Sequence, residues 1–287
     1  MERRTSSLDM MFTLWVKGDL RAVQKVDLTL PSTSPTRSNE LPVEATLGRD
    51  VDSAGIDDDD WSELQRNLEA TIPVYDRVNR FGTLGFDQRW RRGVRALIPP
   101  SSKVLEVGCG PGTFAEAIEG CDVTCLDPIP AMLDAARARV NGARAARGEE
   151  EATFVEATAE DMPFEQDSFD VVCCLFSFRD FHDKPKGLAE ILRVLKPGGQ
   201  LIILDAAKLN FVHGWFGWLW MKLWMGTYAR VVCGKRDHPW RWLAKTYAGF
   251  GTSKQYRNML AETGFTEVRS RLLFPGMATR WTASKHN

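Results

Sequence analysis

Short apolar β-rich runs alternate with helical segments between residues 103 and 205, and this alternation restricts the fold more than any other feature. The predicted strands are "KVLEVG" (103–108), "DVTCLD" (122–127), "ATFVEA" (152–157), "FDVVCCLFS" (169–177) and "QLIILD" (200–205). The predicted helices between them span residues 112–120, 131–140 and 185–199. Strands that are apolar along their whole length and separated by helices are typical of a parallel sheet covered on both faces.

The C-terminal part of the chain adds a different pattern. "TSKQYRNMLAETGF" is a predicted helix that a glycine closes. The runs "TEVRSRLLF" and "GMATRWTA" that follow are predicted to form an antiparallel pair. We therefore expect an α/β protein whose sheet is mostly parallel and ends in antiparallel strands.

The overall composition excludes several classes of protein. The 287 residues are 44% hydrophobic and 26% charged, and the formal net charge of −1 provides no basic field for nucleic acid. The six cysteines include no CxxC pair, so we expect reduced, buried thiols and no metal site. No apolar run reaches the roughly 18 residues of a membrane-spanning helix. These features favour the cytoplasm and leave the mitochondrial matrix open.

Residues 1–60 differ from the rest of the chain. "LPSTSPTRSNELP" is rich in Pro, Ser and Thr, and "DVDSAGIDDDD" ends in four acidic residues that repel one another. We expect residues 1–60 to be a mostly disordered extension. Residues 61–287 are expected to form the folded domain, which begins with a helix near "DDWSEL".

A glycine-rich loop, "VLEVGCGPGTFAE", follows the first predicted strand and contains Gly108, Gly110 and Gly112. Glycines at such a turn let the chain bend sharply and let a ligand reach the backbone near the positive end of a helix. Thr113 stands where a GxGxxG dinucleotide site needs its third glycine. With Glu106 two residues before the loop, the segment resembles motif I of class I S-adenosylmethionine (SAM) methyltransferases.

This resemblance implies SAM as the cofactor and a Rossmann-like class I methyltransferase fold, with a seven-stranded, mostly parallel sheet and an antiparallel last strand. Asp127 ends the second strand, where its carboxylate would accept both ribose hydroxyls. Thr158 replaces the family's usual adenine-binding Asp, and its neutral hydroxyl is expected to weaken binding by ~1 kcal/mol. The implied cofactor site comprises Glu106, Gly108, Cys109, Gly110, Gly112, Asp127, Pro128, Met132, Thr158, Ala159, Glu160 and Phe176. Glycines used only for turning are the alternative.

Three further segments resemble the ubiquinone/menaquinone biosynthesis C-methyltransferase family over roughly residues 62–285. "IPVYDRVNRFGTLGFDQRW" carries Tyr75, Asp76 and Asn79 in the spacing of the family's Tyr-Asp-x-Met-Asn signature. "LFSFRDFHDKPKGLAEILRVLKPGGQLIILD" places Arg179 on the family's characteristic Arg. "RWLAKTYAGFGTSKQYRNMLAETGFTEV" follows the family's C-terminal pattern of two helices joined by a Phe-containing turn.

The second resemblance implies C-methylation of a lipidic, prenylated quinol of the demethylmenaquinol or ubiquinol type. A phenol is a weak carbon nucleophile until it loses a proton, so the site must stabilise a phenolate and aim its ortho carbon at the methyl donor. Arg179 is the expected cation and Asp180 the expected base. Tyr75 and Asn79 would orient the ring, Tyr75 as part of the catalytic group. A simple ion pair with Asp180 or Asp183 is the alternative role of Arg179.

Departures from the family pattern keep other functions open. Asp87 replaces the family's His, Asp180 replaces its Asn, and "DAAKLN" replaces its Glu-Phe-Ser. One alternative is a SAM-dependent methyltransferase of another small or lipidic acceptor. Another is different chemistry on a quinone ring with the same fold and cofactor. A third is a catalytically silent SAM-binding partner in quinone biosynthesis.

Four of the ten tryptophans lie within "WFGWLWMKLW" (215–224), after the fifth predicted strand. Indole and Met side chains on most faces, with Lys222 and Arg230 between them, suit a segment that is apolar below and solvated at its edges. We expect a Trp-rich helical lid at residues 209–250 that contacts the substrate through Trp218 and touches the membrane surface. A core helix or a homodimer contact is the alternative.

Overall fold

The computed structural model describes residues 69, 72–206, 208, 219, 223 and 250–287. The extension predicted for residues 1–60 lies outside the described residues. So does the Trp-rich lid predicted for residues 209–250, apart from positions 219, 223 and 250, and Trp218 lies outside them as well. These three features stay predictions.

Seven strands form one sheet in the described part of the chain. They are β1 (Lys103–Val107), β2 (Asp122–Asp127), β3 (Thr153–Glu156), β4 (Phe169–Leu175), β5 (Leu195–Asp205), β6 (Thr266–Leu273) and β7 (Ala278–Ser284). Their order is β3-β2-β1-β4-β5-β7-β6, with β1 to β5 parallel and β7 antiparallel to both of its neighbours. The predicted seven-stranded, mostly parallel sheet is confirmed.

The helices of the described residues flank the sheet or lead into it. They are α1 (Tyr75–Gly82), α2 (Phe86–Arg95), α3 (Pro130–Arg147), α4 (Lys184–Val194) and α5 (Ser253–Thr263). A capping box of Thr252 and Gln255 begins α5. Helix α4 ends before the predicted boundary at residue 199 because Lys196 precedes Pro197, and a residue before proline avoids the helical conformation.

The helix predicted for residues 112–120 is a single 3-10 turn, Ala115–Ala117. Gly112 and Gly120 have φ of +76° and +65°, so left-handed residues bound the segment at both ends. Ile118 is already extended, with φ of −83° and ψ of 115°. The five residues between Gly112 and Ile118 are too few for two turns of a regular α-helix.

Alternate residues of the central strands point into two apolar clusters on opposite faces of the sheet. Leu105 and Leu201 pack with residues of α4 and α5, and Val104 and Ile202 pack with residues of α2 and α3. Every helix in the described part of the chain is too short or too polar to cross a bilayer.

The carboxyl ends of β1 to β5 lie at one edge of the sheet because these strands are parallel. Strand β7 is antiparallel to both β5 and β6, so β6 runs in the direction of β5. The turn between β6 and β7, residues 274–277, therefore lies at this same edge. Ligands of open α/β sheets bind outside the carboxyl ends of the strands.

Candidate active site

The glycine loop leaves β1 at the carboxyl edge, and its three glycines have different environments. All three have positive φ, between +52° and +76°. A Cβ at Gly108 would lie 2.4 Å from Cβ of Ser177, and a Cβ at Gly112 would lie 2.8 Å from the Val140 side chain. A Cβ at Gly110 would meet nothing within 4 Å. Gly108 and Gly112 are thus required for packing, whereas the backbone of Gly110 is open to a ligand.

Glu106 lies beneath this loop with an unused hydrogen-bonding atom. The side chain is 1% exposed, and its Oε2 has no hydrogen-bond partner. Burial raises the pKa of Glu106 to about 8, although the Arg91 guanidinium and the Ala115 backbone N–H lower it. A buried acceptor without a donor is costly, so this oxygen suits a ligand that brings a donor.

Arg91 of α2 is a second buried charge, and it is not among the residues predicted from the sequence. It is 6% exposed, its Nε has no hydrogen-bond partner, and its guanidinium carbon lies 5.2 Å from the centre of the Phe176 ring. The same guanidinium lowers the pKa of both Glu106 and Tyr75. The signal that identifies it is helical periodicity: the buried positions of α2 are 87, 90, 91 and 94.

Asp127 at the end of β2 is held by two backbone donors. Its Oδ2 accepts from the Gly110 N–H at 2.8 Å and its Oδ1 from the Ile129 N–H at 3.0 Å. Burial raises the pKa of Asp127 to about 6, and these two donors lower it. Each oxygen keeps a further lone pair, so a ribose diol can still be bound. Pro128 and Met132 follow at the start of α3, half-buried and buried respectively.

The predicted adenine-side residues follow β3 and differ in their contacts. The half-buried Thr158 hydroxyl forms no hydrogen bond with the described residues, so it is available to a ligand. Ala159 packs in the core. Oε1 of Glu160 accepts from the backbone N–H of Asp183 at 3.0 Å and tethers this loop to the start of α4. The side chains of Ala159 and Glu160 thus support the loop.

Two loop residues at the carboxyl edge are fixed by their surroundings. Cys109 is buried, and its hydrogen bond with Cys125, together with burial, raises the pKa of its thiol, so it is not a thiolate nucleophile. Phe176, directly after β4, has φ of +63°, and its ring lies 6.4 Å from that of Trp90. A bulky residue in this conformation is strained, and such strain concentrates at functional sites.

The acceptor side begins with Tyr75 and Asn79, which lie one turn apart on α1 and share a side-chain hydrogen bond. Burial raises the pKa of Tyr75, while the guanidinium groups of Arg91 and Arg179 lower it. The structure thus brings the Tyr75 hydroxyl into the electrostatic range of both arginines and of Asp180, as the sequence predicts for Tyr75 and Arg179.

Asp76 faces away from Tyr75 and joins α1 to the cofactor loop. Its Oδ1 accepts from the Thr113 hydroxyl at 2.8 Å, and its Oδ2 lies 2.5 Å from Nη2 of Arg139 on α3. Arg139 Nη1 also donates to the Thr113 hydroxyl at 2.8 Å. The Tyr-Asp-x-x-Asn signature therefore has one side near Arg179 and Asp180, where the acceptor is predicted, and one side on the glycine loop.

The other end of the signature supports α2. Oδ1 of Asp87 accepts from the Thr83 hydroxyl at 3.1 Å, within the turn that begins this helix. Trp90 is buried, and its Nε1 donates to the Phe274 carbonyl at 2.9 Å. Asp87, which stands in place of the family's His, thus has a hydrogen-bond partner in the preceding turn, the Thr83 hydroxyl.

Arg179 lies in the 3-10 turn Phe178–Asp180, and Asp205 fixes it at two points. Its Nη1 lies 2.7 Å from Oδ1 of Asp205, and its backbone N–H donates to Oδ2 at 3.0 Å. Its Nε lies 3.6 Å from Asp180. The alternative pair with Asp183 does not form, because Asp183 caps α4. The sequence analysis does not name Asp205 as a site residue. Its signal is an acid at the end of a strand, but Asp205 also begins "DAAKLN", the segment that departs from the family pattern.

Asp180 has a pKa suited to proton transfer near neutral pH. Burial and the neighbouring Asp205 raise this pKa to about 6, against the lowering effect of Arg179 and Lys184. The cluster therefore combines a fixed cation with a carboxylate that is more basic than an ordinary aspartate.

The residues around the glycine loop fit the cofactor that motif I implies. SAM presents an ammonium and a carboxylate at its methionine end, and a diol on its ribose. Oε2 of Glu106 and Nε of Arg91 are an unpartnered carboxyl oxygen and an unpartnered donor, both buried, and a ligand ammonium beside Glu106 would favour its charged form. The open backbone at Gly110 and the remaining lone pairs of Asp127 complete the set. The described residues contain no group of three metal-ligating side chains.

Comparisons with known proteins identify the class of enzyme. A demethylmenaquinone methyltransferase from Deinococcus radiodurans is 32% identical over 236 residues, which cover 79% of this chain and 94% of that protein. One from Thermus thermophilus is 33% identical over 214 residues, or 72% and 94% of the two chains. A structure from Thermotoga maritima, described as a SAM-dependent methyltransferase and possible histamine N-methyltransferase, has a TM-score of 0.53 at 20% identity. The match covers 77% of this chain and 99% of that chain. This structural similarity shows the fold alone.

A family model also matches most of the chain. The model of the ubiE/COQ5 methyltransferase family matches residues 62–285, which include the glycine loop and the Tyr-Asp-x-x-Asn signature. The fold and cofactor predicted from motif I are confirmed. This chain therefore belongs to the ubiE/COQ5 methyltransferase family and is a SAM-dependent methyltransferase.

Proposed function

We propose that the protein methylates a ring carbon of a prenylated quinol, of the demethylmenaquinol or ubiquinol type. The observation that supports this most is the guanidinium of Arg179, which Asp205 fixes beside Tyr75 and Asp180 at the carboxyl edge of the sheet. A fixed cation next to a basic carboxylate suits an acceptor that reacts as a phenolate. The family and the names of the relatives from D. radiodurans and T. thermophilus also support a quinone precursor.

The chain's own residues would bind the two substrates and assist the proton transfers. SAM would supply a methyl group on a positively charged sulfur, with S-adenosylhomocysteine as the leaving group. Arg179 stabilises the negative oxygen of the deprotonated quinol, and Asp180 accepts the phenolic proton directly or through water. The hydrogen on the methylated ring carbon then leaves as a proton and the phenolic oxygen regains one, so that one proton is released in total. Tyr75 and Asn79 hold the ring so that its ortho carbon faces the methyl donor.

The cofactor would be held by residues from four places, namely β1, β2, the loop after β3 and α2. Glu106 would bind the ammonium of the methionine end, Asp127 the ribose diol, and Thr158 would face adenine. Arg91 would bind the carboxylate of the methionine end. Because Glu106 and Arg91 have unpartnered buried atoms, the zwitterion satisfies both at once.

Incubation of the purified protein with reduced demethylmenaquinone and methyl-labelled SAM tests the proposed function. We expect mass spectrometry to show the label on a ring carbon of the quinone, and a boiled sample to show none. A label on oxygen, or transfer only to acceptors that lack a quinol, would contradict the proposal. Comparison of quinones from cells with and without the protein identifies the natural head group and tail.

The pH dependence of turnover tests Asp180. At saturating SAM, kcat is expected to fall as the pH drops through about 6, because Asp180 accepts a proton only as the carboxylate. Asp180→Asn should lower kcat about 10²-fold and remove this acid limb. Saturating SAM is needed because Asp127 also has a pKa of about 6 and would affect cofactor binding. An unchanged acid limb in Asp180→Asn would assign it to another group.

Several predictions concern the part of the chain outside the described residues. These are the contact of Trp218 with the substrate, the contact of the Trp-rich lid with the membrane, the homodimer alternative and the extension at residues 1–60. A location in the cytoplasm, at its membrane surface or in the mitochondrial matrix is likewise still a prediction.

A further inference from the structure

A surface that the proposed chemistry does not use lies at the carboxyl edge of the sheet. It consists of the turn between α1 and α2, the turn between β6 and β7, and the adjoining residues of α2, β6 and β7. We call it the two-turn surface. Leu84, Leu272 and Phe274 expose 53%, 38% and 75% of their area there. The Phe86 ring meets Phe274 edge-to-face at 5.3 Å, and Trp90 donates to the Phe274 carbonyl. The two turns therefore form one continuous surface.

A cavity of about 220 Å³ opens in this surface. It is lined by Arg89, Trp90, Gly93, Arg271, Leu272, Leu273, Phe274 and Arg280. Three of these residues are arginines, from α2, β6 and β7, and none of the described residues that line the cavity is acidic.

The positive charge around the cavity has no counter-charge in the described structure. Arg271 and Arg280 stand directly opposite each other on β6 and β7, an arrangement that is unfavourable for like charges. Nη1 of Arg280 donates to the Gly93 carbonyl at 3.2 Å. The side chains of Arg89 and Arg271 form no ion pair or hydrogen bond with the described residues. Burial and the charge of Arg271 both lower the pKa of Arg280. An anion bound here would stabilise the charged guanidinium against both effects.

The backbone at Leu84 adds a second, independent observation. This residue has φ of +54°, a conformation that Gly, Asn and Asp adopt far more readily than Leu. Its side chain is mostly exposed, so packing within the chain does little to explain why a leucine occupies this position. Together with the exposed Leu272 and Phe274, this leucine adds to an apolar patch, and such patches mark interaction sites.

We propose that the two-turn surface docks the protein on a membrane that contains anionic phospholipids. Leu84, Leu272 and Phe274 would enter the interface, while Arg89, Arg271 and Arg280 bind the lipid phosphate. Apolar side chains surrounded by arginines match the apolar and anionic layers of such a membrane. Neither a soluble anion nor a nucleic acid needs the exposed apolar residues.

The position of this surface gives the docking a consequence for turnover. Trp90 lines the cavity on one side and lies 6.4 Å from the Phe176 ring on the other, so the surface adjoins the candidate active site. A prenylated acceptor in the bilayer would then reach the site without crossing water. This consequence rests on the proposed function, whereas the docking itself does not.

Flotation with vesicles that contain no quinone tests the docking. The unaltered protein is expected to float with phosphatidylcholine mixed with phosphatidylglycerol, and less with phosphatidylcholine alone. The double variant Arg89→Gln/Arg271→Gln should lower partitioning onto the anionic vesicles roughly 25-fold, at about fivefold per arginine. Lys254→Gln/Arg257→Gln, on exposed positions of α5, removes the same charge and should have no effect.

The apolar contribution is tested by Leu84→Asn/Phe274→Ser. Asn tolerates the backbone at position 84, and this variant should bind both vesicle types at least about tenfold more weakly. Melting temperatures close to that of the unaltered protein would show that both docking variants fold. A short-chain, water-soluble quinol should be methylated at an unchanged rate by both.

Four outcomes would overturn the docking proposal. The first is that the unaltered protein floats with neither vesicle type, and the second is that the arginine variant and its α5 control float equally well. The third is that millimolar inorganic phosphate saturates the cavity and leaves flotation intact. The fourth is that flotation is lost only in Trp218→Ser/Trp220→Ser. Absence of turnover on the soluble quinol by the unaltered protein would count against the proposed function alone.

Discussion

Arg179→Gln is expected to lower kcat by roughly 10²–10³-fold while the affinity for S-adenosylhomocysteine stays nearly unchanged. Asp205 holds the guanidinium through an ion pair and the Arg179 backbone through a hydrogen bond, so the guanidinium stabilises a phenolate without having to reorganise. Glutamine keeps a polar side chain that can donate hydrogen bonds, but it is shorter and carries no charge. Turnover of reduced demethylmenaquinone and calorimetry with S-adenosylhomocysteine measure the two effects separately.

The buried carboxylate of Asp205 requires a control for this experiment. Removal of Arg179 leaves Asp205 without its partner in a fully buried position, which is expected to cost about 3–5 kcal/mol of folding free energy. The double variant Arg179→Gln/Asp205→Asn removes both charges and should recover much of the melting temperature. Its kcat should stay low. If turnover returns with stability, Arg179 is only a structural partner of Asp205 and its proposed catalytic role is wrong.

Arg91→Met is expected to weaken binding of S-adenosylhomocysteine roughly 10- to 100-fold, the range of a hydrogen bond to a charged group. Binding of 5′-methylthioadenosine, which lacks the amino-acid end, should change little. The comparison isolates the carboxylate because both ligands share adenine and ribose. Calorimetry on the protein without acceptor provides the measurement.

Arg92→Met is the matched control for this second prediction, because Arg92 is the next residue of α2 and is exposed. It should leave the affinity for both ligands unchanged. An equal loss of affinity for S-adenosylhomocysteine and 5′-methylthioadenosine in Arg91→Met would show that Arg91 supports the loop as a whole and does not bind the carboxylate.

The sheet and the cofactor loop were predictable because their signals are local. Continuous apolar strands identify a parallel sheet, and Glu106 and Asp127 stand at strand ends that meet at one edge. The helix predicted for residues 112–120 was wrong because Gly112 and Gly120 both take left-handed conformations, which periodicity does not reveal.

The tertiary contacts of the site were less accessible from the sequence. Arg91 is one of three arginines in "QRWRRG", and only the register of α2 against the core directs it inward. The link from Asp205 to Arg179 joins two strand ends that are distant along the chain. The sequence also does not distinguish Gly110, which is open, from Gly108 and Gly112, which are closed by packing.

The contacts of Asp76 make positive cooperativity between the two ligands an expected property of the fold. Asp76 accepts a hydrogen bond from Thr113 in the cofactor loop, while its neighbour Tyr75 is proposed to bind the acceptor. A ligand that immobilises the loop thereby restricts the helix that carries Tyr75, and the entropy of ordering that helix is already lost when the second ligand arrives. Thermodynamic reciprocity then requires that each ligand raise the affinity for the other by the same factor.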